Sequence, residues 1–492
     1  MRRFLIGLWA VPAELARATA RGWDRFAFAP ADPTPLGLVR VLVGALLFWS
    51  LLVYGLDLHG FLGSRGWANL EVVQLFRREQ APSSWSFWFY VPDALLRPAW
   101  AACLVVLALF TVGLFSRTTA VLAWAIAAST AVRAPISVYG FDDIAITWAL
   151  YLAVSGASGR AVSLDRYLER LRVNRREVAN RWQDGRWAAP SGVPAPSVAA
   201  NIGLRLIQCH LVVIYAMSGL SKLRGDAWWN GTAIWGTLAA GEFRLFDLTW
   251  LAAYPLLLNA MTHGALLLEI GYPVLIWVRP LRPLWIAGVV LMHAAIGLTL
   301  GLFEFSLAMV AGNLAFASGP WLRSLVAGRD GPAGRVLYDG ACPKCRASMA
   351  LITAGDPDRV VEPVDLTAVD VAAVHPSLTK AACLESMHLV HANGRVESGY
   401  DAVMTLVGWT PMLAPLALAR YVPGVSPVGR RVYNWVAANR SRDTPCTDDV
   451  CGIRPAAANR PAAAPGPTPP RTNTPAPSPN PSPAPTGKAR RR

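Results

Sequence analysis

Tyr338-Asp339-Gly340-Ala341-Cys342-Pro343-Lys344-Cys345 is the stretch on which the reading of this chain turns. Val336-Leu337-Tyr338 reads as a short strand running into it, and residues 345–354 as the helix that leaves it. Two cysteines separated by two residues can close a small disulfide. A cysteine at a helix N-terminus also has its thiolate stabilised by free N–H groups and the helix dipole. Lys344 adds to that field, and Asp339 is placed either to accept the proton or to oppose the thiolate. The competing reading is zinc, which needs four ligands. Cys383, Cys446, Cys451 and His375 offer no second close pair, because four residues separate Cys446 from Cys451. The redox dithiol therefore leads, and no metal is expected.

Outward from the motif, residues 335–442 alternate strand and helix signals. A second strand is expected at 360–364. Residues 389–392 and 395–397, joined by Asn393-Gly394, read as a hairpin with a tight turn. Helices are expected at 402–406 and 430–439. After Pro455 the chain turns to Pro, Ala, Thr, Ser and Asn and ends in Lys488, Arg490, Arg491 and Arg492. Such a tail cannot bury a core and is expected to be disordered.

The sequence ahead of the motif is of another kind. Of the 492 residues 54% are hydrophobic and only 16% charged, with 20 tryptophans; a soluble chain carries about 25% charged residues. The apolar residues come in blocks, and a helix of ~20 of them can span a bilayer. The net charge of +15 suggests nucleic acid, but the arginines sit between apolar blocks and at the ends. The positive-inside rule and anionic headgroups explain that distribution, no recognition motif accompanies it, and nucleic acid is not an expected partner. Seven cysteines make no disulfide scaffold, and Cys103 and Cys209 lie inside apolar runs as small hydrophobes. No removable signal peptide is evident.

Residues 1–29 read as an amphipathic helix, with Phe4, Leu5, Leu8, Trp9 and Leu15 among Arg2, Arg3, Arg17 and Arg21. Eight spans are expected, at about residues 36–56, 99–115, 119–138, 144–154, 198–220, 256–278, 283–302 and 303–318. The basic loop 160–186 contains Arg166, Arg170, Arg172, Arg175, Arg176 and Arg181. With eight spans it shares a side with the N-terminus, Arg117, the Arg279/Arg282 pair and Arg323/Arg329, which predicts cytoplasmic N- and C-termini in a bacterial-type inner membrane. The loops near 57–97 and 222–250 then face outward. The first carries Trp85, Phe87, Trp88, Phe89 and Tyr90, suited to a membrane interface. The expected architecture is a polytopic α-helical bundle with a C-terminal α/β domain and a disordered tail.

Ionisable groups in hydrocarbon are costly and mark functional sites. They are His210, Lys222, His263, Glu269, His293 and Glu304. Tyr215 and Lys222 are seven apart, nearly on one helix face. Lys222 reads either as a base at the end of an apolar helix or as a snorkelling interfacial side chain. His263 and Glu269 are expected to pair or to line a cavity. His293 reads equally as an interhelical donor.

Two family resemblances follow from these residues. Tyr-Asp-Gly-x-Cys-x-x-Cys running into a helix, with Val432-Tyr433-Asn434-Trp435-Val436-Ala437-Ala438-Asn439-Arg440 as a closing helix, resembles the DCC-type thiol-disulfide oxidoreductases, also called DUF393. The likeness covers about 333–452, ahead of the tail at 453–492, and implies a thioredoxin-like fold. It makes Cys342 the attacking thiol, Cys345 the resolving thiol and Asp339 the motif acid. No proline directly precedes the strand at Leu389 to supply a cis-Pro docking loop.

Pro35-Leu36-Gly37-Leu38-Val39-Arg40, Gly219-Leu-Ser-Lys222-Leu with Trp228 and Gly231, and His293 with Phe305-Ser-Leu-Ala-Met309 resemble the HTTM domain of vitamin K-dependent gamma-carboxylases over about 30–320. That implies Lys222 as a base toward a reduced quinone, with Tyr215 and His293 as candidate cofactor-binding residues. The carboxylase's lumenal domain has no counterpart here.

The expected function is a membrane-bound thiol-disulfide oxidoreductase. Its partners are the lipid bilayer and a thiol or disulfide protein or small molecule, and a quinone is the one cofactor implied. A carboxylase-like enzyme with an accessory DCC domain is the alternative, and a non-catalytic scaffold or transporter the third reading.

Overall fold

The computed structural model describes residues 2–181, 192–240, 245–327, 332–410 and 413–439. Cys446, Cys451 and the tail at 453–492 lie outside them.

Helices occupy all eight apolar stretches: α2 (Thr34–Tyr54), α3 (Leu96–Val112), α4 (Ser116–Arg133), α5 (Gly140–Ser155), α7 (Val198–Lys222), α8 (Pro255–Leu275), α9 (Arg282–Leu300) and α10 (Phe303–Asn313). Ahead of them lies α1 (Arg2–Phe28), and between α5 and α7 lies α6 (Leu164–Arg181). Among the described residues, four segments are long and apolar enough to cross a membrane: Thr34–Leu62, Asp93–Val112, Val198–Lys222 and Arg282–Leu300. Four of the eight expected spans meet that length and apolarity. α5 opens on Asp142 and Asp143, α8 is diluted by Asn259, His263 and Glu269, and α10 runs for only 11 residues.

α2 forms the centre. Leu36, Val39, Val43, Leu46, Leu47 and Leu51 recur at helical spacing on its buried face, packed against α3, α5 and α10. Two buried arginines tie loops to helix ends. Arg40 donates to the Ser158 and Val162 carbonyls at 3.3 and 2.5 Å, and Arg133 to the Gly63 and Ala68 carbonyls. Each guanidinium satisfies loop carbonyls that burial would otherwise leave unpaired. Asp165 caps α4, accepting from the Phe115 and Ser116 N–H groups at 2.9 and 2.7 Å. Burial pushes its carboxyl up, but the Ser116 hydrogen bonds and Arg40 outweigh this and hold it below the usual range. The aromatic run near 85–90 divides: Trp88 is buried and donates to Thr130, whereas Trp85 and Tyr90 are exposed.

The C-terminal domain comprises β1 (Gly334–Tyr338), α11 (Pro343–Gly355), β2 (Val361–Asp365), α12 (Lys380–Glu385), β3 (His388–His391), β4 (Val396–Ser398), α13 (Gly399–Trp409) and α14 (Val425–Ala438). The sheet order is β2-β1-β3-β4, with β1 parallel to β2 and antiparallel to β3, and β4 antiparallel to β3. Period-two alternation sends Val336 and Leu389 to one core with Met349, Ala402 and Leu406. Leu337 and Val390 go to the other with Leu366, Val371, Cys383 and Leu384. The hairpin turn holds Gly394 at φ +83, a conformation that only glycine adopts without strain.

The basic stretch read as a loop at 160–186 contains a helix, α6, and it holds this domain. Leu171, Asn174 and Val178 recur at helical spacing and are buried. The Asn174 side-chain amide donates to the Thr353 and Ala354 carbonyls at 2.7 and 3.3 Å, near the C-terminus of α11. Arg170 pairs with Asp358 and donates to the Pro357 carbonyl at 2.8 Å. Arginine and asparagine thus satisfy carbonyls that a helix end leaves open. The arginine pattern of α6 carries a docking face that charge counting alone does not reveal.

Candidate functional site

The dithiol sits where β1 hands over to α11. Tyr338 ends the strand beside Asp365 of β2. The Asp365 carboxylate accepts the Gly340 N–H at 3.1 Å and both the N–H and hydroxyl of Thr367 at 2.8 Å. A Cβ on residue 340 would lie 2.0 Å from that carboxylate, so any side chain there would have to displace Asp365. Asp365 was not among the residues singled out from sequence, although an acidic residue two before a threonine is a recognisable turn signal.

Asp339 is buried. Its Oδ1 accepts the Ala341 N–H at 3.0 Å and its carbonyl accepts the Cys342 N–H at 3.1 Å. Cys342 is the N-cap of α11, and its sulfur accepts the Cys345 N–H at 3.4 Å. Proline at N1 sacrifices no hydrogen bond there. The helix N-terminus therefore points a donor at the Cys342 sulfur, as the spacing led one to expect. Lys344 donates to the Asn439 carbonyl at 3.0 Å just past the end of α14, so its charge is engaged at the domain's closing helix.

Burial distinguishes the two thiols that the resemblance implies. Cys342, assigned there as the attacking thiol, is 0% exposed, while Cys345 is partly exposed and lines a cavity of about 310 Å³. Proline and the first turn of α11 carry Cys342 inward toward the sheet. The cavity is walled by Asp339, Lys344, Met349, Met387, Tyr433 and Val436 among others, and Cys383 also lines it. Burial pushes the Cys383 thiol up. In the resting reduced protein, Cys345 is expected to alkylate with iodoacetamide at least about tenfold faster than Cys342, since reactivity follows access as well as thiolate fraction. Peptide mapping after timed quenching checks this, and equal rates would contradict the burial.

Within the helical part, α7 and α8 bring several of the ionisable candidates together. A Cβ on Gly219 would sit 3.2 Å from the Ile270 nitrogen and 3.3 Å from the Glu269 carbonyl carbon, so glycine lets the backbones close. That approach puts the Lys222 Nζ 2.8 Å from Glu269 Oε2 and 2.6 Å from Ser218 Oγ, with the Trp228 ring 5.3 Å away. Lys222 is thus one half of a mostly buried ion pair. Seven residues back, the Tyr215 ring packs on Tyr272 at 4.1 Å, and its hydroxyl lies 3.0 Å from His293 Nε2. Tyr272 donates to Asn313 at 2.7 Å.

The expected pairing of His263 with Glu269 does not occur. His263 is exposed and faces the Asn259 and Trp229 carbonyls, because Glu269 lies on the α7 side of α8 and is taken by Lys222. His210 accepts from Trp148, and Glu304 accepts from Tyr139. Ser218, Tyr272 and Asn313 were missed; only Ser218, four residues before Lys222, carried a local signal. Among the described residues no group of three or more His, Cys, Asp or Glu is arranged to hold a metal.

A DCC1-like thiol-disulfide oxidoreductase domain is found by family-model comparison at residues 336–444. Nothing among curated proteins or solved structures matches the chain.

Proposed function

We propose that the chain is a membrane-bound thiol-disulfide oxidoreductase whose working groups are Cys342 and Cys345. The matched domain supports a thiol-disulfide role, and the observation that carries the residue assignment is the Cys342 sulfur capping α11. The strand order and the β-α-β hand-over at the motif fit a thioredoxin-like scaffold. In the reductive direction the Cys342 thiolate attacks one sulfur of a substrate disulfide, forming a mixed disulfide and releasing one substrate thiolate. Cys345 then attacks the Cys342 sulfur and releases the second. The substrate gains two electrons as the pair becomes a disulfide, and the reverse sequence oxidises a substrate dithiol. Asp339, the motif acid that the resemblance implies, is assigned to take the proton of the attacking thiol. Because Cys342 is buried, the first turn of α11 must open before the attack.

Cys345→Ser tests the order of steps. With no resolving thiol, the mixed disulfide on Cys342 should accumulate to near-stoichiometric yield with a model disulfide substrate, read by mass spectrometry. Trapping on Cys383 or on no residue would sink the assignment.

The four long apolar helices support residence in a membrane. Under the positive-inside reading the dithiol is cytoplasmic, where thiols are kept reduced. The Lys222–Glu269 pair, next to Tyr215 and His293, favours a second reading in which the HTTM-like bundle holds a quinone or another lipid-soluble substrate. A carboxylase-like activity at Lys222 would then be lost in Lys222→Ala and kept in Cys342→Ser.

A further inference from the structure

α14 has two unlike faces. Tyr433 turns inward, its hydroxyl accepting the Met387 N–H at 2.9 Å, and with Ala437 it borders the cavity beside Cys345. Val428, Val432 and Trp435, spaced four and three residues apart, line another face and are 58%, 56% and 69% exposed. A helix that meets only water carries polar side chains there. The 3-10 turn Leu418–Tyr421 packs against α14, and Leu418, Tyr421 and the following Val422 are exposed as well. Arg431 is exposed at the edge of the stripe.

Valines that reach an acyl boundary, a tryptophan and a tyrosine at headgroup depth, and an arginine for phosphate are what an in-plane interfacial helix needs. The chain brings its own bilayer, since four of its helices are long and apolar enough to cross one. Tethering then keeps a weak surface contact populated without diffusional cost. We propose that the Val428–Val432–Trp435 face of α14 lies against an anionic lipid surface. Partly exposed Val436, which belongs both to the flank of the stripe and to the cavity wall, sets the cavity mouth at the lipid–water boundary. This inference rests on the membrane reading above and is independent of the dithiol chemistry.

The test uses the full chain in vesicles of phosphatidylglycerol and phosphatidylcholine. The photoreactive p-benzoylphenylalanine is placed at Val432, at Trp435 or, as the control on the polar side of the helix, at Asn434. Lipid adducts at 432 and 435 are expected at about fivefold or more the yield at 434, and the excess should shrink in phosphatidylcholine alone. Equal yields at the three positions, adducts to residues 440–492 or to a second copy, or an excess undiminished without anionic lipid would each overturn the proposal. Vesicle flotation separates the two failures. A chain that does not float removes the membrane reading and this inference together, whereas a chain that floats without excess adduct removes only the inference.

Discussion

Cys342→Ser should lower disulfide exchange by the full-length protein by more than about a hundredfold, because a serine hydroxyl neither ionises near neutral pH nor attacks a disulfide sulfur. The structural change is small: the hydroxyl can still accept the Cys345 N–H at the helix N-cap, so α11 should persist. Loss of exchange with an unchanged circular dichroism spectrum and melting profile therefore reports chemistry and not unfolding. Cys209→Ser, a thiol exposed on α7, serves as the control and should leave the rate unchanged. Retention of more than about a tenth of the exchange rate in Cys342→Ser would remove the sulfur from its proposed role.

Glu269→Ala should strongly destabilise the bundle. The Lys222 side chain is 22% exposed and that of Glu269 9%, and the two lie 2.8 Å apart. Removing one member of a buried pair leaves the other charge without its partner, a cost of about 3–5 kcal/mol that the partial exposure of Lys222 brings to the lower end. Replacing both, as in Lys222→Met with Glu269→Leu, should recover most of the loss, since apolar groups of similar volume often substitute for a buried pair. Detergent-titration unfolding of the four proteins of the cycle measures the coupling. Single variants within about 0.5 kcal/mol of the parent would show that the pair contributes nothing and would leave Lys222 as a snorkelling side chain.

The chemistry of the C-terminal domain was legible because it is local. Strand, glycine, two cysteines and helix succeed one another within about a dozen residues, and each has a short-range physical reason: alternation for β1, an N-cap sulfur and N1 proline for α11, Asn393-Gly394 for the hairpin. The burial of Cys342 was not legible, since it depends on how deeply the first turn of α11 packs against the sheet. Asp365 filling the space beside Gly340 likewise follows from the pairing of β1 with β2, 25 residues away in sequence.

In the helical part, apolar blocks located all eight helices, because bulk hydropathy is additive along the chain. They did not set the four most apolar apart from the rest, because Asp142 dilutes α5 and His263 and Glu269 dilute α8. Arginine counting marked 160–186 as a charged connection and missed that α6 turns Leu171, Asn174 and Val178 toward the C-terminal domain.

What sequence alone determined about this protein, then, is a pair of local features: a Cys-x-x-Cys at a helix start and stretches of helix apolar enough to cross a membrane. Both are properties of short segments. Only the tertiary structure decided the partners. Lys222 meets Glu269 because Gly219 lets α7 and α8 close, Tyr215 meets His293 across the bundle, and Asn174 of α6 caps the far end of the dithiol helix. Contacts between residues 47, 78 and 179 positions apart depend on which helix faces turn toward one another, and no local periodicity encodes that choice.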